Sequence, residues 1–525
     1  MLRRKFLKLS SALAVSPIVP VGLGVSAMAQ KAYAASPNYS ALTVEAPDVM
    51  PQVINVFMYG GASELAGNLS NIEDIELHSV NSYVGEFGSG ILRTEEEAIA
   101  DGDVNDDDWQ VTADGFWRSA GGVHMQEMLD DNLMTVYRTI YKQKSPTRSH
   151  RESIFMSHKG SLGIENSPGI GSRLALMLKT HESTLGSCAL ADGRIVQDVA
   201  NVDGTVSGFD AFTLPFVSFE GDSQTYAIDQ NNALPLNLRG LTMDDRFNNP
   251  YTRGSKGGSE LAITDLLAIR QASIESDSVK YSKAISGFKG RDDLDKNMEV
   301  LQDQLGLNVG TTASAENLGV TYPGGSFSNQ IEAAVTLALH NPQTLYMAVG
   351  TPGLGGWDDH NNGVDEYPDR MNDLMEAIKA GMAHIKAAED AGVTTISGRV
   401  RTQTNNIIIN VFGDFGRLVN LNGSNGWDHA NNQNLYTFGG AGVRPAKEAA
   451  ALGSVVGTTM RAGTSKTNNQ YTVPTKGVDG VPDSPTWEPM SIASSIYGYF
   501  GATNPEVMTA SEGDEEGDVR LEDKL

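Results

Sequence analysis

Residues 407–440 read IIINVFGDFGRLVNLNGSNGWDHANNQNLYTFGG. The β-branched and apolar run Ile407 to Phe412 predicts a strand buried on both faces, as in a parallel sheet. It ends at Gly413, and the Gly/Asn-rich stretch beyond it predicts a polar loop. That loop carries Asp414, Arg417, Asp428 and His429. Charged and imidazole groups just past the carboxyl end of a buried strand sit where open α/β sheets bind ligands. An adjacent Asp-His pair there offers a metal one oxygen and one nitrogen.

Working outward, Gln52–Tyr59, Leu133–Tyr137, Leu185–Leu190, Thr344–Val349 and Leu435–Phe438 predict further strands. Helical spacing runs through Pro168–His181, Glu260–Ser286, Ser326–His340 and Ile492–Phe500. It is clearest over Tyr367–Ala388, where Met371, Leu374, Met375, Ile378, Met382 and Ile385 form one apolar stripe. Strand and helix alternate through the second half. This predicts an α/β fold, a three-layer α/β/α sandwich with a mostly parallel central sheet.

The strand at Thr344–Val349 runs into Gly353-Leu354-Gly355-Gly356-Trp357-Asp358-Asp359-His360-Asn361-Asn362. The later loop repeats this pattern as Gly426-Trp427-Asp428-His429-Ala430-Asn431-Asn432. Both carry Gly-Trp-Asp, a His one or two residues on, and paired Asn. The two loops are expected to meet at one rim and pool their acids and imidazoles around a cation.

The first residues, MLRRKFLK, place Arg3-Arg4 before Phe6-Leu7-Lys8 and fit a twin-arginine export signal, with Leu2 in place of the usual Ser or Thr. Residues 1–35 are read as a signal peptide with small-x-small cleavage sites at Ala27-Met28-Ala29 and Ala32-Tyr33-Ala34. Residues 36–505 are read as the α/β domain, with insertions at about 70–118 and 191–255, and 506–525 as an acidic tail. Glu512–Asp523 has the composition of a disordered segment. The alternation Asp101, Asp103, Asn105, Asp107 resembles half a calcium loop, but the sixth position lacks Gly and the twelfth is Thr112, so a solvated acidic loop is its alternative.

Carboxylates outnumber Lys and Arg, 65 to 39. That balance argues against a nucleic-acid partner, which needs local cationic density. Beyond the leader no run of apolar residues has the length of a membrane span. Cys188 is the only cysteine, so no internal disulfide forms.

With these motifs in view the chain resembles the bacterial family called domain of unknown function 1501, itself similar to alkaline phosphatases and sulfatases. The resemblance rests on the strand ending Gly60-Gly61-Ala62-Ser63, on Arg148-Ser149-His150 and on Gly356 to His360. It rests also on Asp414-Phe415-Gly416-Arg417 and on Asp428-His429 before Gly439-Gly440. It implies an alkaline-phosphatase-like fold, export to the periplasm or beyond, an exported protein partner, and hydrolysis of phosphate or sulfate esters.

On that reading Asp358, His360, Asp428, His429, Glu64 and His150 are the candidate metal ligands. Zn²⁺ suits the mixed nitrogen and oxygen set, while Mg²⁺ or Ca²⁺ needs more oxygens. Ser149, or else Thr147, is the candidate nucleophile, a helix N-cap being the alternative role for Ser149. Arg148 or Arg417 is expected to hold an anionic oxygen, with Asp414 and Ser63 behind the ligands. Two departures bear on this. The family's Asp after the first strand is Ser63 here, beside Glu64, and no His lies beyond His429. They support a competing reading, an exported binding or assembly factor with a degenerate site.

Overall fold

The computed structural model describes residues 41–69, 111–162, 168–201, 203–219, 236–237, 312–422, 424, 426–461, 472–477, 482–511 and 513–525. The export signal, the acidic repeat 101–110 and the helix expected at 260–286 lie outside them, as do most of 70–118 and much of 191–255. Among the described residues no helix is long and apolar enough to cross a membrane.

The runs of Val, Ile and Phe form the centre of a mixed α/β fold. Its main strands are β1 (Gln52–Met58), β2 (Met134–Tyr141), β3 (Phe216–Ser218), β4 (Leu236–Asn237), β5 (Tyr346–Val349) and β6 (Ile407–Gly413). A small hairpin follows, β7 (Arg417–Leu421) with β8 (Trp427–His429), and then β9 (Asn432–Gly439) and β10 (Ser454–Val456). One eight-stranded sheet orders these as β10-β2-β9-β6-β1-β5-β3-β4. Its strand pairs are parallel except those of β9, which runs against both β2 and β6.

Period-two alternation sends side chains to both faces. On one face Ile54 and Val56 of β1 join Ile409 and Val411 of β6 in a single core cluster. Helix α4 (Ser326–His340) and helix α5 (Gly363–Ala391) fill that cluster, α5 through the whole stripe from Met371 to Ile385. Three shorter helices precede them, α1 (Val123–Asp130), α2 (His150–Lys159) and α3 (Ile170–Thr180). On the other face Val53, Phe57, Ile408 and Phe412 pack with Leu174 and Leu178 of α3 and with Ile492 and Ile496 of α6 (Met490–Tyr499). Both faces are therefore apolar, which is why the central strands read as near-continuous hydrophobic runs, interrupted inside by Asn55 and Asn410.

Several expectations need correcting. The polar stretch after β6 is a hairpin: Arg417 pairs with His429 and Leu421 with Trp427. Residues Leu185–Leu190 are not a strand, because Glu182–Leu185 closes a helical turn. Helix α5 starts at Gly363, ahead of Pro368, which lies inside it. The acidic tail is ordered. Leu521 is 2% exposed and joins the α3/α6 core cluster, its amide donates to Ser495 Oγ at 2.8 Å, and Lys144 Nζ pairs with Asp514 and Asp518 at 2.8 and 3.0 Å. An apolar anchor and the Lys144 ion pairs outweigh the composition there.

This packing has a measurable consequence. Leu521→Ala should lower the unfolding free energy by about 2–4 kcal/mol in urea denaturation, the range for emptying a buried leucine site. A change below about 0.5 kcal/mol, typical of exposed positions, would show that the tail does not dock.

Candidate functional site

Every loop that carries a candidate residue leaves the same edge of the sheet. β1, β5 and β6 end there at Met58, Val349 and Gly413, and β2 ends there at Tyr141. β9 is antiparallel, so its start at Asn432 lies at that edge too, directly after Asp428 and His429. The two Trp-Asp loops meet, as their repeated pattern suggested. Trp427 N donates to Asp359 O at 2.7 Å, and Asn422 Nδ2 to His360 O at 2.9 Å. Gly426 permits this approach: a Cβ there would lie 2.3 Å from the His360 carbonyl carbon. Trp357 and Trp427 are fully buried, both rings edge-on to Tyr367 at 5.9 and 5.8 Å, so they pack the loops from beneath.

Three imidazoles surround one carboxylate oxygen. Asp358 Oδ1 lies 3.2 Å from His150 Nε2, 3.2 Å from His360 Nε2 and 3.3 Å from His429 Nε2. The donor atoms of His150, Asp358 and His429 all lie within 4.8 Å of one another. His360 Nε2 stands 2.9 Å from His429 Nε2.

Each ring is fixed through its other nitrogen. His150 Nδ1 meets Asp414 Oδ2 at 2.7 Å, His429 Nδ1 meets the Arg148 carbonyl at 2.8 Å, and His360 Nδ1 meets Asp428 Oδ1 at 3.1 Å. A carbonyl or carboxylate only accepts, so these Nδ1 atoms carry the hydrogens. A ring with its hydrogen on Nδ1 and none on Nε2 has an Nε2 lone pair to offer a metal. His150 Nε2 accordingly has no hydrogen-bond partner despite its closeness to Asp358.

His150, Asp358 and His429 could hold a cation. The Asp-His and carbonyl-His pairs match the outer supports of metal-binding histidines. Tetrahedral Zn²⁺ with ligands at about 2.0–2.1 Å has ligand edges of about 3.3 Å, close to the separations here. Burial lowers the pKa of His429, disfavouring a proton there, although the Arg148 carbonyl opposes this. The Asp414 hydrogen bond raises that of His150 against its burial. Burial works to raise the Asp358 carboxyl, yet the bond and charge of Arg417 hold it down at about 2.

Arg417 has a role other than holding substrate. It is fully buried. Its Nε donates to Gly61 O at 2.6 Å, and Nη1 to Trp427 O at 3.0 Å. Nη2 donates to Gly60 O, to Trp357 O at 3.1 Å and to Asp358 Oδ1 at 2.6 Å. Those contacts commit the guanidinium to the protein itself. Arg148 and Ser149 are exposed beside His150. Ser149 occupies the N-cap of α2, but its side chain makes no capping bond. Thr147 Oγ1 instead donates to Glu152 Oε2 at 2.6 Å.

Glu64 and Ser63 stand apart from the cluster. The Ser63 hydroxyl accepts from Leu65 N at 3.3 Å and caps a short 3-10 turn. The Glu64 carboxyl is buried against Asn432 Nδ2, and burial raises its pKa to about 8. Two residues to which the sequence assigned no role support the cluster. Phe415 packs its ring 4.8 Å from His150 and 4.5 Å from His429, and Lys142 Nζ lies 5.2 Å from the Phe415 ring centre. Lys142 directly follows a buried strand, a position where a charged side chain was a readable signal. A cavity of ≈ 380 Å³ lies around Leu133, Met382, Ile385 and Ile407 and includes none of the cluster's residues.

The family model described as a protein of unknown function (DUF1501) matches residues 50–475, which include every residue of this cluster. No curated protein matches the chain.

The buried Glu64 gives a pH test. Its folded pKa lies above the ordinary 4.5, at about 8. The folded state therefore retains a proton, and stability is lost as pH rises from about 4.5 toward 8, by up to ~1.4 kcal/mol per unit. Glu64→Gln lacks this loss. Its stability relative to wild type, from urea denaturation, should grow between pH 5 and pH 8. A difference independent of pH would mean that the carboxylate is ionised and well solvated in the fold.

Proposed function

The chain belongs to the DUF1501 family of proteins of unknown function, and we propose that it is a metal-dependent hydrolase of phosphate or sulfate esters. We propose further that its helices and sheet form a three-layer α/β/α sandwich like that of alkaline phosphatases and sulfatases, and that the twin-arginine signal exports it to the periplasm or beyond. The observation that carries the reading is the ring of imidazole nitrogens around Asp358 Oδ1, each imidazole anchored through Nδ1.

His150, Asp358 and His429 would hold the ion, with His360 beside them. Zn²⁺ fits this nitrogen-rich set better than Mg²⁺ or Ca²⁺. A bound dication supplies charge neutralisation at the ester oxygens and at the leaving group. The protein supplies the rest. Asp414, Asp428 and the Arg148 carbonyl orient the three imidazoles. The exposed Arg148 side chain meets the anionic oxygen that Arg417 is not free to take. Ser149, its hydroxyl not used in capping, is the nucleophile, placed next to His150 in sequence.

One observation favours the second reading, an exported binding or assembly factor that works with a protein partner. Ser63 is committed to a cap and Glu64 to Asn432, so neither is placed to hold a second ion.

Elemental analysis of the purified protein separates the readings. We expect about one tightly held zinc per chain. It should fall in His429→Ala and Asp358→Ala, and chelator should lower the melting temperature because the ion binds only the folded state. Cleavage of aryl phosphates or sulfates should fall with the metal. A metal-free protein inert toward both esters would support the binding factor, and hydrolysis surviving the Asp358→Ala, Asp428→Ala double variant would move the active site elsewhere.

A further inference from the structure

We infer that Lys142 is a positioning residue for the histidine cluster, an inference that rests on the metal-site reading above. Lys142 is 2% exposed and follows the last residue of β2. Its ammonium donates to the Thr147 carbonyl and, at 2.6 Å, to Ser153 Oγ. Thr147 lies in the loop that delivers His150, and Ser153 lies in the first turn of α2, the helix that His150 begins.

The same ammonium lies 5.2 Å from the centre of the Phe415 ring. That ring leans on both His150 and His429. The Lys142 backbone amide adds a bond to Asn431 O at 3.1 Å, two residues past His429. One buried cation thus touches the loop that brings one imidazole and the ring against which two of them rest.

A buried ammonium is stable only where its hydrogen bonds and neighbouring charges compensate for lost water. Burial pulls the Lys142 pKa down to about 8, while Asp414, Glu488 and Glu152 pull it up and Arg148 opposes them. Asp414, the largest of these attractions, is the carboxylate that fixes His150 Nδ1. Arg417 clamps the Asp358 side of the cluster, and Lys142 clamps the side of His150 and His429.

Lys142→Met keeps most of the volume and removes the charge. Cobalt(II) titration of the full chain, read by visible absorption of the bound ion, reports affinity and ligand geometry together. Affinity should fall about tenfold to a hundredfold, the range for losing outer supports of metal ligands. Because the change takes the compensating charge from Asp414 and Glu488, the melting temperature should fall, and affinity is therefore measured well below the transition. Ser153→Ala, which removes one acceptor without adding bulk, should give a smaller loss in the same direction. Affinities within about twofold of wild type in both variants would overturn the assignment, since the expected loss is larger.

Should the wild-type chain take up no cobalt, the metal reading itself falls. Lys142 is then judged by hydrogen exchange. Lys142→Met must speed exchange of the amides at Ser149 to Ser153 while β1 and β6 stay protected. Unchanged protection at Ser149 to Ser153 would remove the positioning role as well.

Discussion

The rim of this protein depends on one buried guanidinium. Arg417 enters at the start of β7 and gathers carbonyls from Gly60 and Gly61, from Trp357 and from Trp427, three segments far apart in sequence. It also takes Asp358 Oδ1, the oxygen around which the imidazoles stand. A buried cation left without such partners destabilises a fold by about 3–5 kcal/mol. The loops are therefore held to one arrangement by the need to satisfy it. Gly60 shows how tight that arrangement is: its φ is +120°, and a Cβ there would lie 2.5 Å from Asp358 N.

The direction of β9 supplies the second constraint. A strand running with its neighbours would carry Asp428 and His429 to the opposite edge of the sheet. Running against β6, it returns them to the edge where Asp358, His360 and His150 emerge. The hairpin β7–β8 makes that reversal short. Trp357 and Trp427 then seal the junction against Tyr367, whose hydroxyl donates to Ser63 O at 2.6 Å. Packing below the rim and charge above it select the same geometry.

Much of this was legible in the sequence, for identifiable reasons. β1 and β6 are buried on both faces, so they appear as near-continuous apolar runs, and α5 shows its stripe because only one side meets the core. The paired Gly-Trp-Asp loops disclosed their meeting because each repeats the same packing residue beside the same ligand types. Other features had no local signature. The hairpin β7–β8 consists of two short strands separated by an Asn/Gly-rich stretch, which reads as loop. Arg417 has the same identity whether it binds a substrate oxygen or four carbonyls, and only the fold decides. Glu64 looks like a ligand until Asn432, 368 residues away, takes its carboxylate. The tail reads as disordered by composition, yet Leu521 anchors it.

On the proposed function, His150, His429 and Asp358 face one another because a cation belongs among them. The most direct measurement is an anomalous difference map at the zinc absorption edge from crystals of the purified protein. A zinc ion held as proposed gives one strong peak about 2.0–2.2 Å from His150 Nε2, His429 Nε2 and Asp358 Oδ1. Full-occupancy water at that position, with no anomalous signal after zinc has been supplied, would contradict it.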